Sequence, residues 1–419
     1  MAPVGAPCPS PEPMAALPAP ARRLGAVLEP VIPRVAELIA AHPGTLSLAQ
    51  GMVDWGPPPG VLQAVAEALE AADADPGAAA GLHRYGPMQG DPILLEAIRC
   101  HLLSAHGIES GESELLVTAG SNMAFQILMQ VLCDPGDEVI LPVPWYFNHL
   151  MAVQIAGGIP VAVQAGLLLD PERIAAAVTP RTRAVVTVSP CNPSGVVVPP
   201  AHLAAINRLC AERGLLHVSD EAYAAFVHGP VPHWSPGSAP GAAAHTVTLQ
   251  SFSKAYGMAG WRLGYGLMPR RLRGPLAKVQ DTNLICPPRL TQTAATAALA
   301  AGHTWLAPRL ADLRRRRLQL LDVLEAEAAR GLPARWLQQP DGAFYALLEL
   351  ETPLSGLELV EALIRRSGVA ALPGESFGLP AGQGRAVLRL SYGMLPAREL
   401  AEACARLGAG LALLASPMA

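Results

Sequence analysis

The sequence predicts an α/β protein: a large unit with a mostly parallel sheet between helices, followed by a smaller α/β unit. Three observations carry that expectation. Short apolar, β-branched runs alternate with helical stretches between Glu114 and Leu249, the pattern of βα units whose crossovers lay strands parallel. The 419 residues are 51% hydrophobic and 15% charged, which gives a large buried core and argues against a disordered chain. Beyond a long arginine-rich helical stretch, Thr304 to Ala329, the alternation gives way to a different and shorter set of elements.

Taken in order, residues 1–25 are rich in proline and alanine, read as a flexible arm. No basic region leads into an apolar core there, so a secretory signal is not expected. Residues 26–41 begin irregularly around prolines and then turn helical, Thr45 to Gly51 is a short strand, and Val61 to Ala71 is a helix. His83 to Pro87 is a turn and Pro92 to Ala105 another helix. Strands are expected at Glu114–Thr118, Glu138–Leu141, Ile159–Val163, Arg183–Val188, Leu215–Val218 and Thr246–Leu249, with helices at Met123–Cys133 and Pro200–Arg213. Past the long helix, residues 342–348 and 387–391 read as strands, and 357–366 and 397–414 as helices. The domain division expected is an arm (1–25), a segment contributing to the smaller unit (26–75), a large unit (76–325) and a small one (326–419).

A net charge of −4 without long runs of one sign speaks against nucleic-acid or anionic-membrane partners. No apolar run reaches membrane-spanning length. The seven cysteines are scattered without paired metal-ligand spacing, which fits a reducing, cytoplasmic setting.

The chemistry gathers at Ser251-Phe252-Ser253-Lys254, just past a strand, with Arg262 between glycines (Gly260 and Gly264) shortly downstream. A lysine in apolar surroundings loses its proton more readily, and a neutral amine condenses with an aldehyde. Ser251 and Arg262 have the donors to hold a phosphate. A lysine imine beside a phosphate cup is what pyridoxal phosphate requires. Asn192 and Asp220 also follow strand ends, as do Ser121 and Asn122 at the start of a helix, where free amides suit an anion. Asp220 suits the cofactor's pyridine nitrogen, Asn192 and Tyr223 its ring oxygen, and Tyr146 a stacking position on the ring. Each alone has an ordinary reading: a helix cap, a turn, a core aromatic.

Together, Asn192-Pro193-Ser194-Gly195, Asp220-Glu221-Ala222-Tyr223 and Ser251-x-Ser253-Lys254 with Gly260-Trp261-Arg262 resemble the class I/II aminotransferases of the fold-type I pyridoxal-phosphate enzymes, over roughly residues 30 to 415. The resemblance implies Lys254 as the Schiff-base lysine, Ser251 and Arg262 as phosphate ligands, Asp220 on the pyridine nitrogen, and Asn192 and Tyr223 on the ring oxygen. Tyr85, in Tyr-Gly-Pro-x-x-Gly, matches a tyrosine that reaches the partner subunit's phosphate, which implies a homodimer with shared sites. Arg389, in Leu-Arg-Leu-Ser-Tyr, matches the clamp on the substrate α-carboxylate, and Gly51 a backbone contact beside it. His149 is a candidate support for Asp220 and Ser253 has no assigned role. Cys191 and Cys286 fall near the site but read as buried hydrophobes.

The implied reaction moves an amino group between an L-amino acid and a 2-oxo acid by a ping-pong route. The stretches Gly51 to Pro58, His83 to Pro87, Trp145 to Asn148 and Lys278 to Asp281 look most similar to plant aromatic aminotransferases, favouring an aromatic or methionine-like substrate, with Trp55 packing against its side chain. Asn283 to Cys286 lacks an arginine for a second carboxylate, although Arg289 follows closely. Competing readings are a C–S lyase or decarboxylase on the same scaffold, an aspartate or broad-specificity aminotransferase, and the effector domain of a regulator. The last is disfavoured by the lack of a basic recognition helix.

Overall fold

The computed structural model describes residues 19–380 and 382–415. Residues 1–18 of the expected arm lie outside them; Arg22–Ala26 forms a 3-10 turn. Helix α1 (Val31–Ala41), strand β1 (Leu46–Ser47) and helices α2 (Pro59–Ala74), α3 (Pro76–His83) and α4 (Pro92–His106) lead in. The large unit runs through β2 (Ser113–Thr118), α5 (Ser121–Leu132), β3 (Glu138–Pro142), α6 (Phe147–Ala156), β4 (Ile159–Val163), α7 (Pro171–Ala176) and β5 (Thr182–Val188). It continues with α8 (Pro200–Arg213), β6 (Leu216–Asp220), β7 (Thr246–Ser251), β8 (Gly264–Pro269), α9 (Arg273–Asn283) and α10 (Arg289–Ala329). The rest is β9 (Ala334–Trp336), β10 (Tyr345–Glu351), α11 (Gly356–Ser367), β11 (Val369–Ala370), β12 (Leu372–Pro373), β13 (Arg385–Ser391) and α12 (Ala397–Leu414).

Seven strands form the large sheet in the order β2-β8-β7-β6-β5-β3-β4, and only β8 runs against its neighbours. The parallel sheet expected from the βα alternation is therefore present. β3, β5, β6 and β7 consequently end at one edge, and the loops after them converge there. β8 escapes a pattern search because two glycines and a proline dilute its signal, yet all six of its residues are buried. Helix α6 escapes for a different reason. Its Phe-Asn-His-Leu-Met-Ala-Val-Gln-Ile-Ala sequence has no segregated polar face, so the 3.6-residue period is absent.

The smaller unit is an antiparallel sheet, β12-β13-β10-β9, covered by α11, on which α12 packs in turn. β1 pairs in parallel with β11, and Ser391 N donates to Leu48 O at 2.7 Å, so the amino-terminal strand is held by the carboxyl-terminal unit. Val61 of α2 packs instead with Leu94, Ala294 and Ala298. α10 begins well before the expected Thr304 and is broken at Gly302 (φ 62°, ψ −167°). Before the break it buries Ala294, Ala295 and Ala298 with the large unit; after it, Leu306, Leu310, Leu313, Leu320 and Leu324 enter the other core. On this helix Asp312 pairs with the exposed Arg315, three residues on, at 2.8 Å, and with the buried Arg316.

Candidate active site

Asp220 is the last residue of β6 and only 5% exposed. A carboxylate so placed needs donors. Oδ1 accepts from Ala222 N at 3.0 Å, and Oδ2 accepts from His149 Nε2 at 3.0 Å. His149, itself 2% exposed, is braced by the Phe125 ring at 4.2 Å and lies edge-on to Tyr146 at 5.2 Å. The support for Asp220 is thus a hydrogen bond from a helix that the sequence pattern did not reveal.

Lys254, three residues past β7, donates from Nζ to the carbonyl of Gly51 at 2.5 Å. Burial, then the charges of Arg389 and Arg262, lower its pKa from the ordinary lysine value to about 8, while Asp220 pulls the other way. Trp55 is half-buried, donates from Nε1 to Ala255 O at 3.3 Å and stacks on Phe226 at 6.5 Å. The lysine loop is therefore clasped by the 51–55 segment.

The anion end is built around the first turn of α5. Ser121 and Asn122 follow Gly120, whose φ of +91° suits glycine, and a Cβ there would stand 2.5 Å from Arg262 Nη2. Arg262 donates to Ala259 O at 2.9 Å and Ala119 O at 3.4 Å, both neutral acceptors. Its backbone is left-handed (φ 51°). Ser251 Oγ accepts from Ser253 N at 3.1 Å, which gives Ser253, for which the sequence suggested no part, a backbone hold on Ser251. Tyr146 Oη accepts from Asn148 at 3.1 Å and Asn122 at 3.4 Å, fixing the tyrosine over the same space.

At the other end Arg389 of β13 is buried without any acidic partner among the described residues. Nη1 donates to Asn192 Oδ1 at 3.2 Å, Nη2 to Ala49 O, and Nε has no partner. Its guanidinium lies 4.6 Å from the centre of the Tyr345 ring and 5.4 Å from that of Phe377. Tyr223 Oη meets Tyr345 Oη at 2.8 Å. Sequence reasoning missed Tyr345; its place in Gly-Ala-Phe-Tyr, at the start of β10, carries no motif, and only the β10–β13 register (Leu347 opposite Arg389) brings it in.

Lys254, Asp220, Asn192, Tyr223, Ser121 and Arg262 line one cavity of about 230 Å3, together with Asn122, Tyr146 and Ser251. Tyr85, 78% exposed, lies outside that lining. Cys191 is buried and its thiol pushed up by that burial, whereas Cys286 Sγ accepts from Gly86 N at 3.3 Å beside Tyr85. Arg289 is held by Asp91 through two contacts of 3.1 Å.

A poised lysine, a buried carboxylate on the same edge, and a helix start facing an arginine without a carboxylate fit pyridoxal phosphate on donor chemistry. The fold and this set of side chains define a pyridoxal-phosphate enzyme of fold type I. Residues 44–407 match the family "Aminotransferase class I and II". The chain belongs to that family and is a pyridoxal-phosphate-dependent aminotransferase. It is 34% identical to the aromatic aminotransferase ISS1 of Arabidopsis thaliana, over 91% of this chain and 93% of that protein. It is 33% identical to an aspartate aminotransferase of Pyrococcus abyssi, over 88% and 92%. The structure of Thermus thermophilus aspartate aminotransferase with maleate superposes with a TM-score of 0.82 at 31% identity, over 94% of this chain and all of that one.

Proposed function

We propose that this aminotransferase takes the amino group from an aromatic or methionine-like L-amino acid, passes it to a 2-oxo acid, and uses the residues above in the roles their positions suggest. The observation that carries the reading is Arg389. A buried guanidinium with neutral partners only, one unused N–H and two aromatic faces against it is built to receive a carboxylate from outside the chain.

When bound, pyridoxal phosphate supplies an electron sink for the substrate Cα. Lys254 would be the covalent anchor and, once released, the base: Nζ would take the substrate Cα proton and deliver it to the carbon that bore the cofactor's aldehyde, which a pKa near 8 permits close to neutral pH. Asp220, held by His149 and Ala222, keeps a proton on the pyridine nitrogen. Tyr223 and Asn192 would donate at the ring oxygen, Tyr146 would stack on the ring, and Ser121, Asn122, Ser251 and Arg262 would hold the phosphate. Arg389 orients the α-carboxylate with Asn192, while the Gly51 carbonyl steadies the lysine. The amino acid leaves as its 2-oxo acid before the second 2-oxo acid enters, so the kinetics are ping-pong.

The aromatic preference is supported by the cluster of Trp55, Phe226, Tyr345 and Phe377 and by the engagement of Arg289 with Asp91. The exposed Tyr85 supports a homodimer in which it reaches the partner's phosphate. A cytoplasmic location rests on six free cysteines among the described residues. The division into an arm (1–25), a segment contributing to the smaller unit (26–75), a large unit (76–325) and a small one (326–419) belongs to the same reading.

A donor panel (phenylalanine, tyrosine, tryptophan, methionine, aspartate) with phenylpyruvate, indolepyruvate and 2-oxoglutarate, read by product formation, tests it. Aromatic donors should exceed aspartate in kcat/KM by at least about 10-fold. Aspartate as the better donor would overturn the specificity. Release of ammonia or CO2 without any need for an oxo acid would instead favour the lyase or decarboxylase reading. Lys254→Ala should lose turnover, and transamination at a near-normal rate in that variant would remove Lys254 from the reaction.

A further inference from the structure

Behind β7, on the far side of Ser251 from the cofactor cavity, lies a second and larger cavity of about 890 Å3. Its wall carries His101 and His106 from α4, His233, and His303 from just past the break in α10. The reaction described above uses none of these imidazoles. Glu221, the residue after Asp220, sits beside it and is 0% exposed. No lysine or arginine among the described residues pairs with that carboxylate; its one ionisable partner is His233, with Nε2 at 3.2 Å from Oε2. Ser235 Oγ donates to Oε1 at 2.7 Å, and Gln250 Nε2 approaches Oε2 at 3.4 Å.

A wholly buried carboxylate without a lysine or arginine beside it is costly, because its charge is removed from water. The surroundings offer what a cation needs. One ligand atom each from His106, Glu221 and His233 lies within 4.8 Å of the other two. His233 is 8% exposed as a side chain, yet its Nδ1 has no hydrogen-bond partner, so this imidazole has an unused nitrogen. His106 is the last residue of α4, where the unpaired carbonyls of a helix end favour positive charge. Its Nε2 meets the Gln250 amide at a long 3.5 Å.

We propose that His106, Glu221 and His233 form a binding site for a divalent transition metal of the zinc class, distinct from the cofactor site and opening into this cavity. Two imidazoles and a carboxylate are a donor set that zinc takes with a fourth position left for water. The Ser235 hydroxyl already orients the carboxylate, as an outer partner of a ligand does. The cavity supplies the entry path and room for the water. Because Glu221 follows Asp220 and Ser251 lines both cavities, the metal would sit one residue from the group that faces the pyridine ring.

The test uses the cofactor-loaded enzyme, stripped of adventitious metal by dialysis against a chelator and then titrated with Co2+ and with Zn2+. Wild-type protein should bind one Co2+ per chain with the visible absorption of a four- or five-coordinate ion, be competed by Zn2+, and melt at a higher temperature with Zn2+ present. His106→Gln and His233→Gln should each weaken Zn2+ binding by about 10-fold or more, while His101→Gln should leave it unchanged. His106 is partly exposed at a helix end, so if His233→Gln does not fold, His106→Gln decides alone. Wild-type protein that binds no Co2+ at about 100 μM, or unchanged affinity in His106→Gln, would overturn the site.

Discussion

Arg389 and Asn192 stand 197 residues apart in the chain and meet at 3.2 Å, one on the small sheet and the other at the edge of the large one. The contact joins the two units where the proposed reading puts the substrate carboxylate. Arg389→Lys keeps the charge but loses the fork and the reach to Asn192 and Ala49. It should lower kcat/KM about 100-fold, about 2.7 kcal/mol of transition-state binding, with most of the change in KM. Steady-state kinetics with a preferred donor checks this, and a loss confined to kcat would contradict the clamp.

Lys254 gives a signed dependence of stability on pH. In the cofactor-free chain its folded pKa, about 8, lies below the ordinary lysine value of 10.5. Below pH 8 both states hold the proton, and the folded state bears the full cost of a buried charge. Between pH 8 and 10.5 the unfolded chain holds more protons, so Lys254's contribution to stability becomes more favourable as pH rises. The cost amounts to at most about 3 kcal/mol. Lys254→Met should therefore stabilise the cofactor-free protein at pH 7 and show a smaller advantage at pH 10. Urea melts of both proteins at the two pH values measure the difference; equal gains would show that the lysine is not desolvated.

His149 is a positioning residue, since it acts through Asp220. His149→Leu leaves Oδ2 of a buried carboxylate without its donor, at a cost of about 1–3 kcal/mol. The cofactor dissociation constant should rise about 10-fold, read by absorbance after dialysis. His149→Gln, which retains a donor, should recover much of it. Equal losses in the two variants would point to packing against Phe125 as the main role of the ring.

Gly257 holds the lysine loop against the amino-terminal segment. Its φ is +63°, and a Cβ would stand 2.4 Å from the carbonyl of Trp55 and 2.7 Å from that of Gly56. Both obstacles are backbone, so Gly257→Ala should push residues 55–56 away and destabilise the protein by about 1–3 kcal/mol. Thermal melts and the KM for aromatic donors should both respond. An unchanged melting temperature would mean the 55–56 segment yields freely.

Much of this was legible in the chain itself. Alternating apolar runs announced β2 to β7, and the residues at their ends, Asn192, Asp220 and Lys254, announced where chemistry would gather, because each lies in a short local motif. β8 and α6 were not legible, since one is diluted by glycine and proline and the other has no polar face. Tyr345 was hidden for a related reason: a residue that matters through what lies opposite it leaves no periodic trace.

The sequence by itself determined the class of fold, the family and the lysine, because these depend on patterns and motifs that are local along the chain. Tertiary structure decided the rest. Leu48 had to pair beside β11 and β13, bringing Gly51 within reach of Lys254, and α6 had to pack so that His149 faced Asp220. Those contacts follow from the burial of apolar faces that become neighbours only when distant segments close on one another.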